Sequence, residues 1–259
     1  MEIITSVENK IVKQAKSLGM KKFRDKHGLF IIEGIKFIEE IPKDWQIERL
    51  LISESCADIG GIAKPESTAV ISDRIFQSIS DTVNPQGVMA VIKQKQFDIN
   101  SIIKQKNPLI IMLDSINDPG NLGTILRTAQ SANAAGIIMS GDCADIYSPK
   151  TIRSAAGFAF HIPFVSVDLP LAIQKLKAEG IAVFAAAPNA AKSLYDMDLK
   201  KPLAFVIGNE SHGISREVAD LADSNIKIPI IGQAESLNAS MACGIMIYEA
   251  LRQRHFLFR

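Results

Sequence analysis

Between Leu203 and Leu251 the chain twice repeats one pattern: a short apolar run, a polar loop containing glycine, then a segment of helical spacing. The runs at 203–207 and 226–230 are too short for helices and end at Gly or Pro, which predicts two strands. Helices are expected to begin at Ser215 and at Ser236, whose hydroxyl can accept a hydrogen bond from the unpaired amides of the next turn. The loops at 208–213 and 232–238 then leave the C-terminal ends of their strands, the edge at which open α/β sheets bind ligands.

The same alternation extends upstream. Residues 109–113, Leu-Ile-Ile-Met-Leu, form the unbroken apolar strand expected where both faces of a parallel sheet are covered. After it, Pro119-Gly120 suits a type II turn, Asn121 suits a helix N-cap, and a helix runs on towards Ala135. On that helix Thr124, Arg127, Thr128 and Ser131 share one face and Leu122, Ile125, Ala129 and Ala132 another, so Arg127 is carried on a rigid element. Strands are expected again at 137–139, 162–167 and 181–186, with helices near 148–156 and 171–179. A parallel sheet with helices on both faces follows.

Residues 1–95 read as a separate small α/β unit, with strands at 29–32, 49–53, 69–72 and 87–92 and helices near 35–41 and 73–80. Its first helix puts Ile11, Val12, Ala15 and Leu18 on one face and Lys10, Lys13 and Lys16 on the other. Together with Lys21, Lys22, Arg24 and Lys26, the stretch 10–26 holds seven positive residues against the single acid Asp25. A solvated helix face is the plain explanation of such a run. In a chain of 29 basic and 28 acidic residues, however, so local an excess predicts a phosphate-contacting footprint. The polar, glutamine-rich stretch 96–107 is expected to be a linker to a second domain at 108–259.

Three ordered motifs carry a resemblance. Asn117-Asp118-Pro119-Gly120-Asn121-Leu122-Gly123-Thr124-Ile125-Leu126-Arg127-Thr128-Ala129 is the first; Gly208-Asn209-Glu210 with Gly213 is the second. Ile228-Pro229 with Gly232, then Ser236-Leu237-Asn238 and Glu249, make the third. In this order they resemble the SpoU (TrmH-like) family, the RNA 2′-O-ribose methyltransferases of the SPOUT superfamily. The resemblance implies an α/β fold with a C-terminal parallel-sheet domain tied in a trefoil knot. Before it would come a small α/β, ribosomal-protein-like substrate-binding domain, in which Phe30-Ile31-Ile32-Glu33-Gly34 also fits.

The resemblance further implies S-adenosylmethionine as cofactor, bound by Gly208, Asn209, Ile228, Ser236 and Leu237. It implies methyl transfer to a ribose 2′-hydroxyl with Asn121, Arg127, Glu210 and Asn238 at the reacting centre, and a homodimer packed through the small-residue helix after Ser236. RNA is the implied partner, with Lys10, Lys13, Lys16, Lys21, Lys22 and Arg24 as its contacts. Ribosomal RNA is expected ahead of tRNA, because tRNA-modifying relatives tend to carry only short flanking helices. A guanidinium stays protonated at any working pH. Arg127 is therefore expected to act as a fixed cation, not as a base, and Glu210 to position it or another donor through a charge-assisted hydrogen bond.

Two rival readings fare worse. A non-catalytic RNA-binding descendant of the fold has no need of all these polar positions. A nicotinamide-binding oxidoreductase is suggested by Gly120-x-x-Gly123 and Asp142, but the turn lacks the full G-x-G-x-x-G fingerprint. Cys56, Cys143 and Cys243 are odd in number and without a C-x-x-C pair, which argues against a disulfide framework or a structural zinc. The histidines show no metal-ligand spacing, so no metal is expected. The N-terminus lacks a signal-peptide design and no apolar run approaches the ~20 residues that span a bilayer. A cytoplasmic protein with no membrane segment is the expectation.

Overall fold

The computed structural model of the chain describes residues 2–57 and 65–255. In chain order the elements are β1 (Ile3–Ile4), α1 (Lys10–Ser17), α2 (Lys21–His27), β2 (Leu29–Glu33), α3 (Ile35–Glu39), β3 (Ile47–Ser53), β4 (Ala69–Ile71), α4 (Asp73–Ile79) and β5 (Val88–Lys93). They continue with α5 (Ile99–Ile103), β6 (Leu109–Asp114), α6 (Pro119–Ser131), β7 (Gly136–Met139), α7 (Pro149–Ser154), β8 (Phe164–Ser166), α8 (Leu169–Ala178) and β9 (Ala182–Ala186). Last come β10 (Lys192–Ser193), β11 (Leu203–Gly208), α9 (Arg216–Leu221), β12 (Ser224–Lys227) and α10 (Ala239–His255). Contacts gather these into two units. One holds the described residues up to Lys95 together with Asp145–Phe160; the other holds Gln96–Ala144 and the described residues from His161 onward.

In the first unit the described residues form a five-stranded sheet in the order β1-β4-β3-β5-β2, with β5 antiparallel to both its neighbours. Val12, Ala15 and Leu18 of the first helical segment pack on Leu51, Ile71, Ile75, Phe76 and Met89, which is why the apolar face read from the sequence is buried. The basic stretch is two helices. The break at Leu18–Met20 lets α2 start afresh, and Gly28, in the left-handed region at φ 62°, ends it.

The segment Asp145–Phe160 is the part of this unit that sequence spacing did not assign to it. Tyr147 and Phe160 pack on Phe30, with ring centroids 4.6 and 6.0 Å away. Trp45 Nε1 donates to the Phe160 carbonyl at 3.2 Å. Arg24 belongs to the same junction: its Nε and Nη2 donate to Asp145 Oδ2 at 2.8 and 2.6 Å, and Nη1 donates to the Leu18 carbonyl at 2.7 Å. The residue is only 3% exposed. Arg24 is thus a buried structural cation and not the phosphate contact expected of it, whereas Lys10, Lys13, Lys16, Lys21 and Lys22 are exposed.

In the second unit the described residues form a seven-stranded sheet in the order β10-β12-β9-β11-β6-β7-β8, parallel throughout. One face carries Ile110, Met112, Ala204 and Val206 and is covered by α8 residues such as Ile173 and Leu176. The alternate residues of the same strands point the other way, and there α10 packs on α6 and β11. Stretch 96–107 is not a plain linker. Its middle forms α5, capped by Asp98, and buries Ile102 and Ile103 against the sheet's core.

Two strand and cap expectations are corrected near the C-terminus. The strand expected at 226–230 is Ser224–Lys227 instead; Pro229 cannot donate to a ladder, and the chain runs on from Ile228 without regular structure. The cap of α10 is Asn238, not Ser236. Its Oδ1 accepts from the Ser240 and Met241 amides at 3.0 and 3.3 Å and from Ser240 Oγ at 2.7 Å.

Candidate functional site

A cavity of about 300 Å³ lies beyond the C-terminal ends of β9, β11 and β12. Its apolar walls include Ile207, Ile228, Ile230 and Leu237, and Asn209, Glu210 and Ser236 add polar groups. All five residues expected to hold the cofactor, Gly208, Asn209, Ile228, Ser236 and Leu237, line it. Ala186, Ala187 and Pro188, which follow β9, line it too. Sequence reading missed them, although an apolar strand ending in small residues and a proline was a usable signal.

The loop between β11 and α9 forms one wall. Asn209 and Gly213 exchange backbone hydrogen bonds at 2.9 Å in both directions, and Gly213 turns the chain at φ 71°. Asn209 Oδ1 accepts from the Ser211 and His212 amides at 2.8 and 3.1 Å, so this side chain shapes the loop as well as bordering the cavity. Gly208 is required for space: a Cβ there would sit 2.2 Å from the Gly213 carbonyl carbon and 2.3 Å from the Ile214 nitrogen.

The loop between β6 and α6 forms the adjoining wall, and here the cap expectation is corrected. Asp118, not Asn121, caps α6, accepting from the Asn121 amide at 2.8 Å, with Pro119 in the first turn in place of a type II turn. Gly120 leaves room for that carboxylate, since its Cβ would lie 2.7 Å from Asp118 Oδ1. The Asn121 side chain is thereby released for longer contacts. Its Nδ2 donates to Glu210 Oε1 at 2.8 Å, and its Oδ1 accepts from Asn238 Nδ2 at 2.9 Å.

Glu210, Asn121 and Asn238 therefore form one relay that ties the three motifs together. Glu210 also accepts from the Asn117 and Asp118 amides, both at 3.3 Å. Burial alone would raise the Glu210 carboxyl, but the donation from Asn121 and those amides outweighs it and holds the group below its usual value. A depressed carboxylate contributes fully above the ordinary range and loses its hold only as pH falls through the lowered value, so the relay is intact at neutral pH. Asn121 is the side-chain donor that Glu210 is seen to orient.

Arg127 stands on α6 with its side chain exposed and is not among the residues lining the cavity. Thr124, Thr128 and Ser131, on the same helix face, turn their hydroxyls back onto helix carbonyls at 2.8 Å. Their polarity is spent within α6, which leaves Arg127 as the charged group of that face. Glu249, although part of the third motif, is structural: its carboxylate accepts from Arg252 and Gln253 at 2.7–2.8 Å, and Gln253 in turn fixes α10 to the Met197 carbonyl and the Leu199 amide.

Comparison with known proteins gives this geometry a family. Residues 108–248 match the SpoU rRNA Methylase family, and residues 9–90 match the MRM3-like substrate binding domain. The chain belongs to the SpoU rRNA methylase family. It is 32% identical over 249 residues to the 23S rRNA (guanosine(2553)-2′-O)-methyltransferase RlmP of Bacillus subtilis, covering 96% of this chain and 98% of the relative. It is 30% identical over 250 residues to the 23S rRNA (uridine(2479)-2′-O)-methyltransferase of Streptomyces viridochromogenes, covering 92% and 87% respectively. Among solved structures, the AdoMet-bound rRNA methyltransferase of Sinorhizobium meliloti superposes with a TM-score of 0.87 at 32% identity, over 100% of this chain and 99% of that one. The SpoU membership accounts for the coincidence of all three motifs at one sheet edge. Among the described residues no cluster of His, Cys, Asp or Glu could hold a metal ion, and no helix is long and apolar enough to cross a membrane.

Proposed function

We propose that this SpoU protein transfers a methyl group from S-adenosylmethionine to a ribose 2′-hydroxyl of ribosomal RNA. The observation that carries the reading is the cavity itself, whose wall includes all five residues that the motifs assign to the cofactor. Its size and mostly apolar walls suit an adenosine group, and the backbone beyond Lys227 is not committed to a sheet ladder that would compete for the cofactor's polar edge. When bound, the cofactor supplies an electrophilic methyl carbon on its sulfonium. Arg127 then stabilises the negative charge that develops on the ribose oxygen, and Asn121 and Asn238, set by Glu210, orient the reacting groups. With methyl-labelled S-adenosylmethionine, label should enter ribosomal RNA and leave tRNA unlabelled; labelling of tRNA alone would contradict the substrate assignment.

The first unit serves as the RNA-binding domain in this reading, through the exposed Lys10, Lys13, Lys16, Lys21 and Lys22. Replacing Lys13, Lys16, Lys21 and Lys22 with Gln should weaken RNA binding and flatten its salt dependence, by roughly 0.9 in slope for each phosphate no longer neutralised. Binding of S-adenosylmethionine should not change. An unaltered RNA affinity and salt slope would return this face to solvent.

A homodimer, action in the cytoplasm and a trefoil knot complete the proposal. The knot is supported by the path of the chain, which leaves β11, passes out to β12 and returns in α10 to pack on α6 and β11. The dimer is supported by exposed apolar residues about α10, with Met241 60% and Tyr248 52% exposed. Gly244 between them faces its own chain, where a Cβ would lie 3.7 Å from Thr128 Cγ2. Met241→Lys with Tyr248→Lys should therefore dissociate the dimer; a native protein of monomer mass in light scattering would exclude the assembly.

A further inference from the structure

The loop that walls the cavity is held from below by two residues to which neither the motifs nor the chemistry gives a role. Asp114 ends β6, pairs in register with Gly208, and is only 6% exposed. Its Oδ2 accepts from the Ser215 amide at 2.7 Å, and Ser215 is the residue at which the loop closes into α9. Its neighbour Ser115 offers a carbonyl to Asn209 Nδ2, also at 2.7 Å. The two feet of the loop, Asn209 and Ser215, are thus pinned by consecutive residues of the β6 end.

Ser115 reaches that position only in the left-handed region, at φ 59°, which a residue with a Cβ adopts reluctantly. Side-chain bonds hold it there. Its amide donates to Ser140 Oγ at 2.9 Å and its hydroxyl to Asp142 Oδ2 at 2.6 Å, while Ser140 Oγ donates to Asp142 Oδ1 at 2.5 Å. A strained residue kept by several bonds marks a place where the exact path of the chain matters.

We propose that Asp114 is a positioning residue for the cofactor, fixing the 208–215 loop in its binding conformation through the Ser215 amide. This rests on the cavity being the S-adenosylmethionine site. What the loop needs from Asp114 is one buried acceptor for a backbone donor, a bond whose loss leaves the N–H unsatisfied. Charge is not required. In Asp114→Asn the amide oxygen still accepts from Ser215, and the new Nδ2 meets Ser115 Oγ, which donates to Asp142 and is free to accept.

Calorimetry with S-adenosylmethionine, together with steady-state rates on ribosomal RNA, tests this. Asp114→Ala should raise the cofactor Kd and KM about tenfold, with kcat at saturating cofactor and RNA affinity within about twofold. Asp114→Asn should bind like the wild type. Ser215→Pro deletes the same bond from the donor side, at φ −59° where the ring fits, and should match Asp114→Ala, with the double variant no worse than either alone. If Asp114→Ala does not fold, Ser215→Pro carries the test. Wild-type cofactor affinity in Ser215→Pro or Asp114→Ala, or equal impairment in Asp114→Ala and Asp114→Asn, would overturn the assignment while leaving the cavity reading in place. Absence of binding by the wild type would overturn both.

Discussion

Gly208→Ala is expected to weaken S-adenosylmethionine binding by about 3 kcal/mol, roughly 150-fold, the upper end of the cost of overpacking. One added methyl is enough because of what it meets. The Cβ would lie 2.2, 2.3 and 2.5 Å from Gly213 C, Ile214 N and Gly213 O, all backbone atoms that no rotamer change can move aside. The loop must shift outward, and the cavity loses the wall that Asn209 and Glu210 provide. The sheet beneath stays paired from Leu203 to Val206 on both sides, so circular dichroism should show a folded protein. Wild-type affinity in this variant would mean that the loop accommodates the methyl and that its observed path is not needed for binding.

The largest effect on rate is expected at Arg127. Arg127→Ala should lower the single-turnover rate at saturating cofactor and RNA by ~10²–10³-fold, by analogy with removal of one donor from an oxyanion hole. Arg127→Lys separates charge from geometry, because an ammonium supplies charge without the planar fork. Retention of most of the rate in Arg127→Lys would assign the effect to charge; a loss approaching that of Ala would assign it to the directed pair of donors. Arg127 is not among the residues that line the cavity, so cofactor affinity should survive both substitutions. Near-wild-type turnover in Arg127→Ala would remove Arg127 from the reacting centre.

Much of this was legible in the residue order, and the exceptions share physical causes. Alternating apolar runs and helical segments placed the parallel sheet, and the glycine loops placed at its edge the segments that line the cavity, because those features are local. Arg24 misled because its role depends on Asp145, which lies 121 residues away and is invisible to any window around the basic stretch. The run at 226–230 misled for a different reason: Ile228 and Ile230 are apolar because they wall a cavity, not because they enter the sheet. Apolarity alone does not distinguish the two.

The helix caps show the limit from the other side. Asp118 and Asn121, like Ser236 and Asn238, are all good capping residues, and only the chain's path decided between them. The outcome has a functional sense: by capping with Asp118, the chain frees the Asn121 side-chain carboxamide for Glu210 and Asn238. The linker expectation failed where two consecutive isoleucines, Ile102 and Ile103, outweighed the polar residues around them by entering the core.

The most direct test of the central claim is the chemical position of the transferred methyl. Ribosomal RNA incubated with the protein and methyl-labelled S-adenosylmethionine would be digested to nucleosides and resolved by mass spectrometry. Label is expected in a single 2′-O-methylated nucleoside, on the ribose fragment, and at an initial rate lower by ~10²–10³-fold with Arg127→Ala; label on a base fragment, or ribose label undiminished in Arg127→Ala, would contradict this.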